Sequence, residues 1–239
     1  MGRASEAQLN ERDALAGRAM VPAMRDIVVQ GLGELGRLFA GGAARAGMRV
    51  TPIVRGASAA DVLATVPAGT PVVVAVGEAD LAGAIGALPA PVRPDVVLLQ
   101  NELFPDVWRA LGLDAPTVMV PWILKKKDLP VRIVQPTPVF GRHARVIADV
   151  HAGLGLPCDV LADARALEVA LVAKYTFIVV INALGTLENR TMGGWLGSAP
   201  AVVKALAADA VGLAVARLGR PDDAAAVLAD VWPQVERGM

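Results

Sequence analysis

The stretch that decides the fold is DIVVQGLGELGRLFAGGAARAGMRVTPIVRG, residues 26–56. An apolar run, IVVQ at 27–30, leads directly into GLGELG. Residues 35–46 are rich in Ala and Gly and read as a helix, and a second strand-like run at 48–55 ends in Arg55. We therefore predict a strand, a Gly-rich turn, a helix and a second strand in this order.

The spacing of Gly31, Gly33 and Gly36 is the G-x-G-x-x-G pattern of dinucleotide-binding turns. The first glycine permits the tight turn, the second lets the backbone approach a pyrophosphate, and the third lets the helix pack closely on the strand. The helix N-terminus offers unpaired N–H groups and the positive end of its dipole to the phosphates. The alternative is a Gly-rich turn that binds no ligand.

The end of the second strand indicates which coenzyme the turn holds. An NAD site usually has Asp or Glu here, whereas this strand ends in Arg55 and the next carboxylate along the chain is Asp61. A guanidinium suits a 2′-phosphate by its charge and its paired donors, so NADP is favoured over NAD. The alternative for Arg55 is a solvated charge at a strand end. The expected cofactor-binding residues are Gly31, Leu32, Gly33, Glu34, Leu35, Gly36, Arg55, Val76, Gln100 and Asn101.

The pattern along the rest of the chain predicts an α/β fold followed by helices. Further apolar runs that read as strands are 71–76, 95–101, 116–123 and 131–135, with helical stretches between the first of them. Such alternation predicts a parallel sheet covered on both faces. We expect an N-terminal extension at 1–24, a Rossmann-type domain at 25–162 and a smaller all-α domain at 163–239.

Bulk composition excludes several classes of protein. The chain has 239 residues, 54% of them apolar, and no net charge, so nothing favours nucleic acid or an anionic membrane surface. A single cysteine and an N-terminus without an apolar core lead us to expect a cytoplasmic protein. Cys158 is expected in the core before a strand. His143 and His151 are expected to be ordinary surface or helix-end residues, and no metal site is predicted.

The run VALVAKYTFIVVINALGTL, residues 169–187, is long enough to span a bilayer but contains Lys174 and Asn182. A central lysine is costly in a membrane, so we predict a helix in a protein core. Burial would lower the pKa of Lys174, which makes it a candidate proton donor for the reduction of a carbonyl group. Asn182 lies about 80° further around the same helix and is expected to share its cleft. The alternative is that Lys174 extends to the surface.

Gln100 and Asn101 close an apolar strand at the carboxyl edge of the predicted sheet. Ligands bind along this edge in open α/β sheets, so Asn101 is expected to contact the nicotinamide end or the substrate oxygen. The alternative for Asn101 is a turn-forming amide.

These segments, in this order, resemble the ketopantoate reductases (2-dehydropantoate 2-reductases). The matching residues are GLGELG at 31–36, Arg55, LLQN at 98–101 and AKYTFIVVIN at 173–182. The resemblance implies an NADP-binding domain, a helical domain and an active site between them. By that resemblance Lys174 is the catalytic lysine, and Asn101 and Asn182 are asparagines of the substrate cleft.

The sequence differs from the family in three ways that bear on activity, one of which is that the family's late Ser and Glu have no clear match beyond Ser198 and Glu236. Ile178 stands four residues after Lys174, where the family has a further Asn, and Gly77 follows the third strand, where the family commonly has Lys. The main expectation is therefore an NADPH-dependent reductase of a small 2-oxo acid or related carbonyl compound. An NADP-binding protein without reductase activity and another dehydrogenase of this fold, such as a β-hydroxyacid dehydrogenase, stay open. The apolar composition of residues 201–219 also suggests a homodimer formed through the helical domain.

Overall fold

The computed structural model of the chain describes residues 24–99, 104–124, 130–187 and 191–239. Its strands are β1 Asp26–Gln30, β2 Arg49–Ile53, β3 Val72–Val74, β4 Val96–Leu98, β5 Thr117–Met119, β6 Ile123–Leu124, β7 Arg132–Ile133, β8 Thr137–Phe140 and β9 Cys158–Val160. Its α-helices are α1 Glu34–Arg45, α2 Ala59–Leu63, α3 Glu78–Gly86, α4 Pro105–Ala110, α5 Ala144–Leu154, α6 Ala164–Leu187, α7 Met192–Ser198, α8 Pro200–Arg217 and α9 Ala224–Gly238. The predicted order, α/β and then all-α, is confirmed.

The main sheet has the strand order β2-β1-β3-β4-β5-β8-β9. Its first five strands are parallel, with Val28 of β1 opposite both Thr51 of β2 and Val72 of β3. The chain thus leaves β1 on one side to form β2 and returns on the other side to form β3. Between β1 and β3 the strand order reverses, and this is where open α/β sheets bind ligands.

Two features of the sheet differ from the sequence prediction. Strand β8 pairs antiparallel with β5, so the sheet is mixed rather than wholly parallel. The run predicted as a strand at 131–135 contributes only β7, which pairs with β6 in a separate two-stranded hairpin. Strand β8 was not predicted, because it is short and Pro138 stands inside it. Strand β9 was expected only as a strand after Cys158, and it begins at Cys158 itself.

Alternation along the strands divides the core into two layers. Val28 packs with the side chains of α2, α3 and α6, whereas Ile27 and Val29 pack on the opposite face with α1 and α5. Pro52 lies within β2, which is the edge strand, where a residue without an N–H group is tolerated.

On the second face, helices α1 and α5 cross at two glycines. A Cβ on Gly153 would overlap the carbonyl oxygen of Gly42, and a Cβ on Gly42 would lie 2.6 Å from the carbonyl oxygen of Val150. The Arg45 side chain donates a hydrogen bond of 2.7 Å to the Gly153 carbonyl oxygen at the same crossing. The two helix backbones are therefore in direct contact.

Helix α6 packs against α8 and α9 and also contributes Leu171 and Phe177 to the first core layer. It is long and apolar enough to cross a membrane, but half of its most apolar window is buried inside the structure. Helices α7 and α8 together pass the same test of length and composition, with a bend of 112° between them. The partial burial of α6 agrees with the prediction of a core helix.

Candidate nucleotide and active site

The predicted Gly-rich turn joins β1 to α1. Gly31 has φ +88°, and a Cβ there would lie 2.7 Å from the Ala75 carbonyl oxygen. A Cβ on Gly36 would overlap the Gly31 carbonyl oxygen. Both glycines are therefore required by the fold, because one supplies the turn and the other the close contact of α1 with it.

Gly33 is different, because a Cβ there would meet nothing within 4 Å. Its backbone is extended, at φ −69° and ψ −166°, and it caps the N-terminus of α1. Nothing in the fold excludes a side chain at this position. Because Gly33 has no side chain, the space in front of the first turn of α1 stays open. The backbone N–H groups of that turn have no partner within the helix. The turn therefore fits a pyrophosphate group.

A cleft of about 770 Å³ opens in front of this turn, at the carboxyl ends of β1, β2 and β3. It is lined by residues 31–33, 54–57 and 75–77, which follow these three strands, and by one face of α3. The cleft thus lies at the point where the strand order reverses, and its volume is in the range of small-molecule and cofactor sites.

Apart from Asp80, the wall formed by α3 consists of small residues. Ala79, Gly83 and Ala84 line the cleft, so this wall is flat enough for a planar ring. At the floor, Gln30 Nε2 donates a hydrogen bond of 3.2 Å to the Ala84 carbonyl oxygen. This bond fixes the orientation of the Gln30 amide, and its buried Oε1 has no partner within the described part of the chain. An unpaired buried acceptor costs about 1–3 kcal/mol, so Gln30 is a polar group of the cleft that a ligand donor would satisfy.

Arg55 lies at the mouth of the cleft, where its side chain is 96% exposed. Its guanidinium Nη2 is 3.9 Å from Oδ2 of Asp80, which lines the same cleft from the first turn of α3. Along the chain Asp61 is the first carboxylate after Arg55, but the fold brings Asp80 to it instead. The cleft therefore presents a cation and an anion side by side.

Lys174 lies on α6, and its Nζ atom is 4.7 Å from the centroid of the Trp122 ring and 5.5 Å from that of Phe177. Burial lowers the pKa of Lys174 from 10.5 to about 8. No ion pair joins Lys174 to a carboxylate in the described ranges. A lysine with this pKa can exchange its proton near neutral pH, which is the property expected of a proton donor in a reduction.

The structure does not bring the other predicted active-site residues next to Lys174. Asn182 is exposed on α6, eight residues and about 12 Å of helical rise beyond Lys174. Ile178, between them, is half-buried and packs against the first core layer. Gln100 and Asn101 lie outside the described residues, so their predicted roles stay predictions.

Of the residues predicted to contact the coenzyme, Gly31, Leu32, Gly33, Arg55 and Val76 line the cleft. Glu34, Leu35 and Gly36 form the first turn of α1 and are not part of that lining. Sequence reasoning missed Asp80 and Gln30. Gln30 immediately precedes the turn, and a polar residue at the end of an apolar strand was a signal that could have found it.

A second cavity of about 480 Å³ lies between β8, β9 and helices α6 and α9. It shares Trp122 with the surroundings of Lys174 and is lined on its other sides by Gln135, Val169 and Arg237. The Trp122 indole Nε1 is buried and has no hydrogen-bond partner among the residues that the structure describes. This cavity and the nucleotide cleft have no lining residue in common.

Both histidines lie at the ends of α5, His143 as the N-cap and His151 in the last turn, so the helix-end alternative is confirmed and the surface alternative is wrong. His143 is buried, and its Nε2 lies 2.9 Å from Oδ1 of Asp95, which also pairs with Arg142 at 3.1 Å. His151 is completely buried under Phe39, and its Nδ1 lies 2.9 Å from the Ile147 carbonyl oxygen. Asp95 precedes β4, so the His143 cluster is at the edge of the sheet opposite the cleft. The eight-residue separation of His143 and His151 could not show that both ends of α5 pack against the sheet.

Cys158 is the first residue of β9 and is half-buried, close to its expected place in the core. Burial, with a smaller effect of Asp159, raises the pKa of its thiol to about 11.

No protein-family model matches the sequence, and no curated protein sequence matches it. The fold is nevertheless shared with solved structures. The 2-dehydropantoate 2-reductase from Methylococcus capsulatus superimposes with a TM-score of 0.60 at 17% identity, covering 86% of this chain and 79% of that one. The 2-dehydropantoate 2-reductase from Porphyromonas gingivalis W83 gives 0.59 at 16% identity, covering 90% and 89%.

A complex of D-mandelate dehydrogenase with NADH gives a TM-score of 0.57 at 14% identity, covering 86% of this chain and 78% of that one. At these identities the likeness establishes the architecture: a Rossmann-type sheet followed by a helical region. The predicted structural resemblance to ketopantoate reductases is thereby confirmed at the level of the fold.

Proposed function

We propose that this protein is an NADPH-dependent reductase of a small 2-oxo acid or a related carbonyl compound, a divergent relative of the ketopantoate reductases. The observation that carries the proposal is the cleft in front of the Gly-rich turn. It lies where the strand order reverses, and Gly33 keeps it open although the fold does not require a glycine there.

Different groups of this chain would bind different parts of the coenzyme. The backbone N–H groups at the start of α1 would hold the pyrophosphate, and Arg55 would hold the 2′-phosphate. The flat wall of α3 would receive the adenine ring, with the Gln30 Oε1 atom as an acceptor at the floor. The reduced nicotinamide supplies a hydride when it is bound.

Lys174 supports the reductase part of the proposal. A carbonyl oxygen gains negative charge as it is reduced, and a nearby ammonium group stabilises that charge and donates the proton. Trp122 and Phe177 exclude water from one side of the Lys174 amine, and their ring faces favour its charged form. The carboxylate of a 2-oxo acid would also be attracted by the Lys174 ammonium group.

The test is a fluorescence titration with NADPH and NADH, followed by NADPH oxidation in the presence of a panel of 2-oxo acids. We expect NADPH to bind in the micromolar range or tighter and one or more 2-oxo acids to turn over. Failure of both coenzymes to bind at millimolar concentration would overturn the proposal. Reduction of NADP⁺ by β-hydroxyacids, with no oxidation of NADPH by 2-oxo acids, would instead assign the chain to another class of dehydrogenase.

A second candidate is an NADP-binding protein without reductase activity. The observation that favours it is at α6, where Ile178 packs into the core one turn from Lys174 and Asn182 is exposed. The amide groups expected around a substrate are thus not gathered near Lys174 by α6 itself. Binding of NADPH without oxidation by any 2-oxo acid or other carbonyl compound would favour this candidate.

The proposal also includes a homodimer formed through the helical region. Helix α8 buries Val203, Ala207 and Val211 on one side, while Val202 and Leu213 are exposed on another. Exposed apolar side chains on one helix favour a contact with a second copy. Light scattering during gel filtration measures the mass, and the mass of a single chain would overturn this part.

A further inference from the structure

The feature that the proposed function does not use is the carboxylate beside Arg55. Asp80 and Arg55 line opposite walls of the same cleft, and the distance between Oδ2 and Nη2 is 3.9 Å. Asp80 is held at the third position of α3, where its backbone N–H donates to the Gly77 carbonyl oxygen. The helix N-terminus favours a negative side chain at this position, and the helix holds the Asp80 backbone in place.

The pair is easily separated. Both side chains are exposed, Arg55 to 96% and Asp80 to 66%, and exposed ion pairs are weak. Arg55 is therefore available to a ligand anion at little cost. When the contact with Arg55 breaks, Asp80 stays beside the cleft, because its backbone is part of α3.

The two residues act in opposite directions on the adenosine end of a coenzyme. A 2′-phosphate carries a charge of about −1.5 to −2 near pH 7, so Arg55 attracts it and Asp80 repels it. A 2′-hydroxyl is instead a donor that a carboxylate accepts, which is the role of the acidic residue in NAD sites. In this chain the acidic group comes from α3 and not from the end of β2.

We propose that Asp80 is a specificity-determining residue that reduces the preference of the cleft for NADPH and lets it accept NADH as well. This inference rests on the proposed function, because it concerns the same cleft. Arg55 and Asp80 together then set the ratio of NADPH affinity to NADH affinity. Substitution of Asp80 should raise that ratio, and substitution of Arg55 should lower it.

The experiment measures dissociation constants of NADPH and NADH by fluorescence for the full chain and for Asp80→Asn and Arg55→Gln. The fragments 2′,5′-ADP and 5′-AMP serve as competitors that report on the adenosine end alone. Asp61→Asn and Arg37→Gln are the matched controls, since both are exposed charges outside the cleft lining.

We expect the unsubstituted chain to prefer NADPH by less than about tenfold, since the charge of Arg55 is partly offset. Asp80→Asn should raise that preference by about fivefold or more, chiefly through tighter NADPH binding, and Arg55→Gln should lower it by a similar factor. Both controls should leave it unchanged. The same order should appear with 2′,5′-ADP and 5′-AMP.

The possible failures are distinguishable. If neither coenzyme binds the unsubstituted chain, the proposed function and this inference fall together. If NADPH binds and Asp80→Asn leaves the NADPH-to-NADH ratio within twofold of the original, only the role of Asp80 is overturned. A ratio that moves equally in Asp61→Asn would also overturn it, since the effect would then be one of net charge.

Discussion

The Nζ atom of Lys174 lies 4.7 Å from the centroid of the Trp122 ring, so the amine is stacked on an aromatic face. In the described ranges no carboxylate neutralises it, and burial alone lowers its pKa to about 8. A lysine placed only for stability usually keeps its charge in water or pairs it with an acid. The position of Lys174 on an aromatic face supports the role of proton donor proposed above.

The first prediction concerns turnover. Lys174→Met should lower kcat for the best carbonyl substrate by about 10²–10⁴, the usual contribution of a general acid, with little change in NADPH affinity. In the unsubstituted enzyme kcat/KM for reduction should be level below pH 8 and fall as pH rises above it, because the donor loses its proton. Lys204→Met, which removes an exposed lysine from α8, is the control. Unchanged turnover in Lys174→Met would remove the assigned role.

The second prediction is that the same substitution stabilises the fold. The folded-state pKa of about 8 lies below the ordinary value of 10.5, so between these values the unfolded chain binds more protons. The stability of the unsubstituted protein should thus rise with pH across this window. At pH 7, where the charged form is buried, Lys174→Met should raise the free energy of unfolding by on the order of 2 kcal/mol. Urea denaturation at pH 7 and pH 10 measures it, and a loss of stability at pH 7 would contradict the burial argument.

The third prediction separates binding from folding at the Gly-rich turn. Gly33→Ala adds a methyl group to open space, so thermal unfolding should be unchanged while NADPH affinity falls by about tenfold or more. Gly36→Ala should instead destabilise the protein, because its Cβ would overlap the Gly31 carbonyl oxygen. Equal NADPH affinity in Gly33→Ala and the unsubstituted chain would mean that the phosphates do not dock there.

The fourth prediction concerns the crossing of α1 and α5. Gly153→Ala should lower the free energy of unfolding by about 1–3 kcal/mol or more, because two backbones must separate. Gly41→Ala is the matched control on α1, where the nearest atom to the new Cβ is 3.6 Å away on the flexible Arg45 side chain. That control should be neutral or slightly stabilising, since alanine is the better helix former. Denaturant midpoints for the two variants measure this difference, and equal midpoints would contradict the close contact of the two helices.

The fifth prediction is a dependence of stability on pH that comes from His151. Burial lowers its pKa below the ordinary 6.5, so the unfolded chain takes up a proton before the folded one does. Its contribution is fully present above pH 6.5 and declines as pH falls below it. His151→Met removes the titrating group, so the stability of the variant relative to the original should increase from pH 7 to pH 5. Parallel stability curves over that window would exclude His151 as the cause.

The sequence was sufficient for the part of the fold that local pattern controls. The Gly-rich turn, β1 and α1 could be predicted because their residues are neighbours in the chain and each has a stated steric role. The partial burial of Lys174 was one of the two outcomes that the sequence left open, and the apolar residues around it on α6 favoured it.

What could not be predicted depends on contacts between distant residues. Asp80 meets Arg55 only because β3 returns on the far side of β1, a choice that no local pattern around either residue encodes. Asp95 and His143 are 48 positions apart and meet through the antiparallel return of β8. The burial of Asp95 and His143 was not predicted, because a single histidine does not create a hydrophobic periodicity. Its partner Asp95 also precedes a different strand.

Cys158 has a practical consequence for studying this cleft. It is the only thiol in the chain, and with a pKa of about 11 it is almost entirely protonated at neutral pH, the form that reacts poorly with maleimides. A fluorophore attached to a cysteine introduced at Asp61 should therefore label one position without first removing the native thiol. Coenzyme docking could then be followed by the emission of that dye, independently of any redox assay.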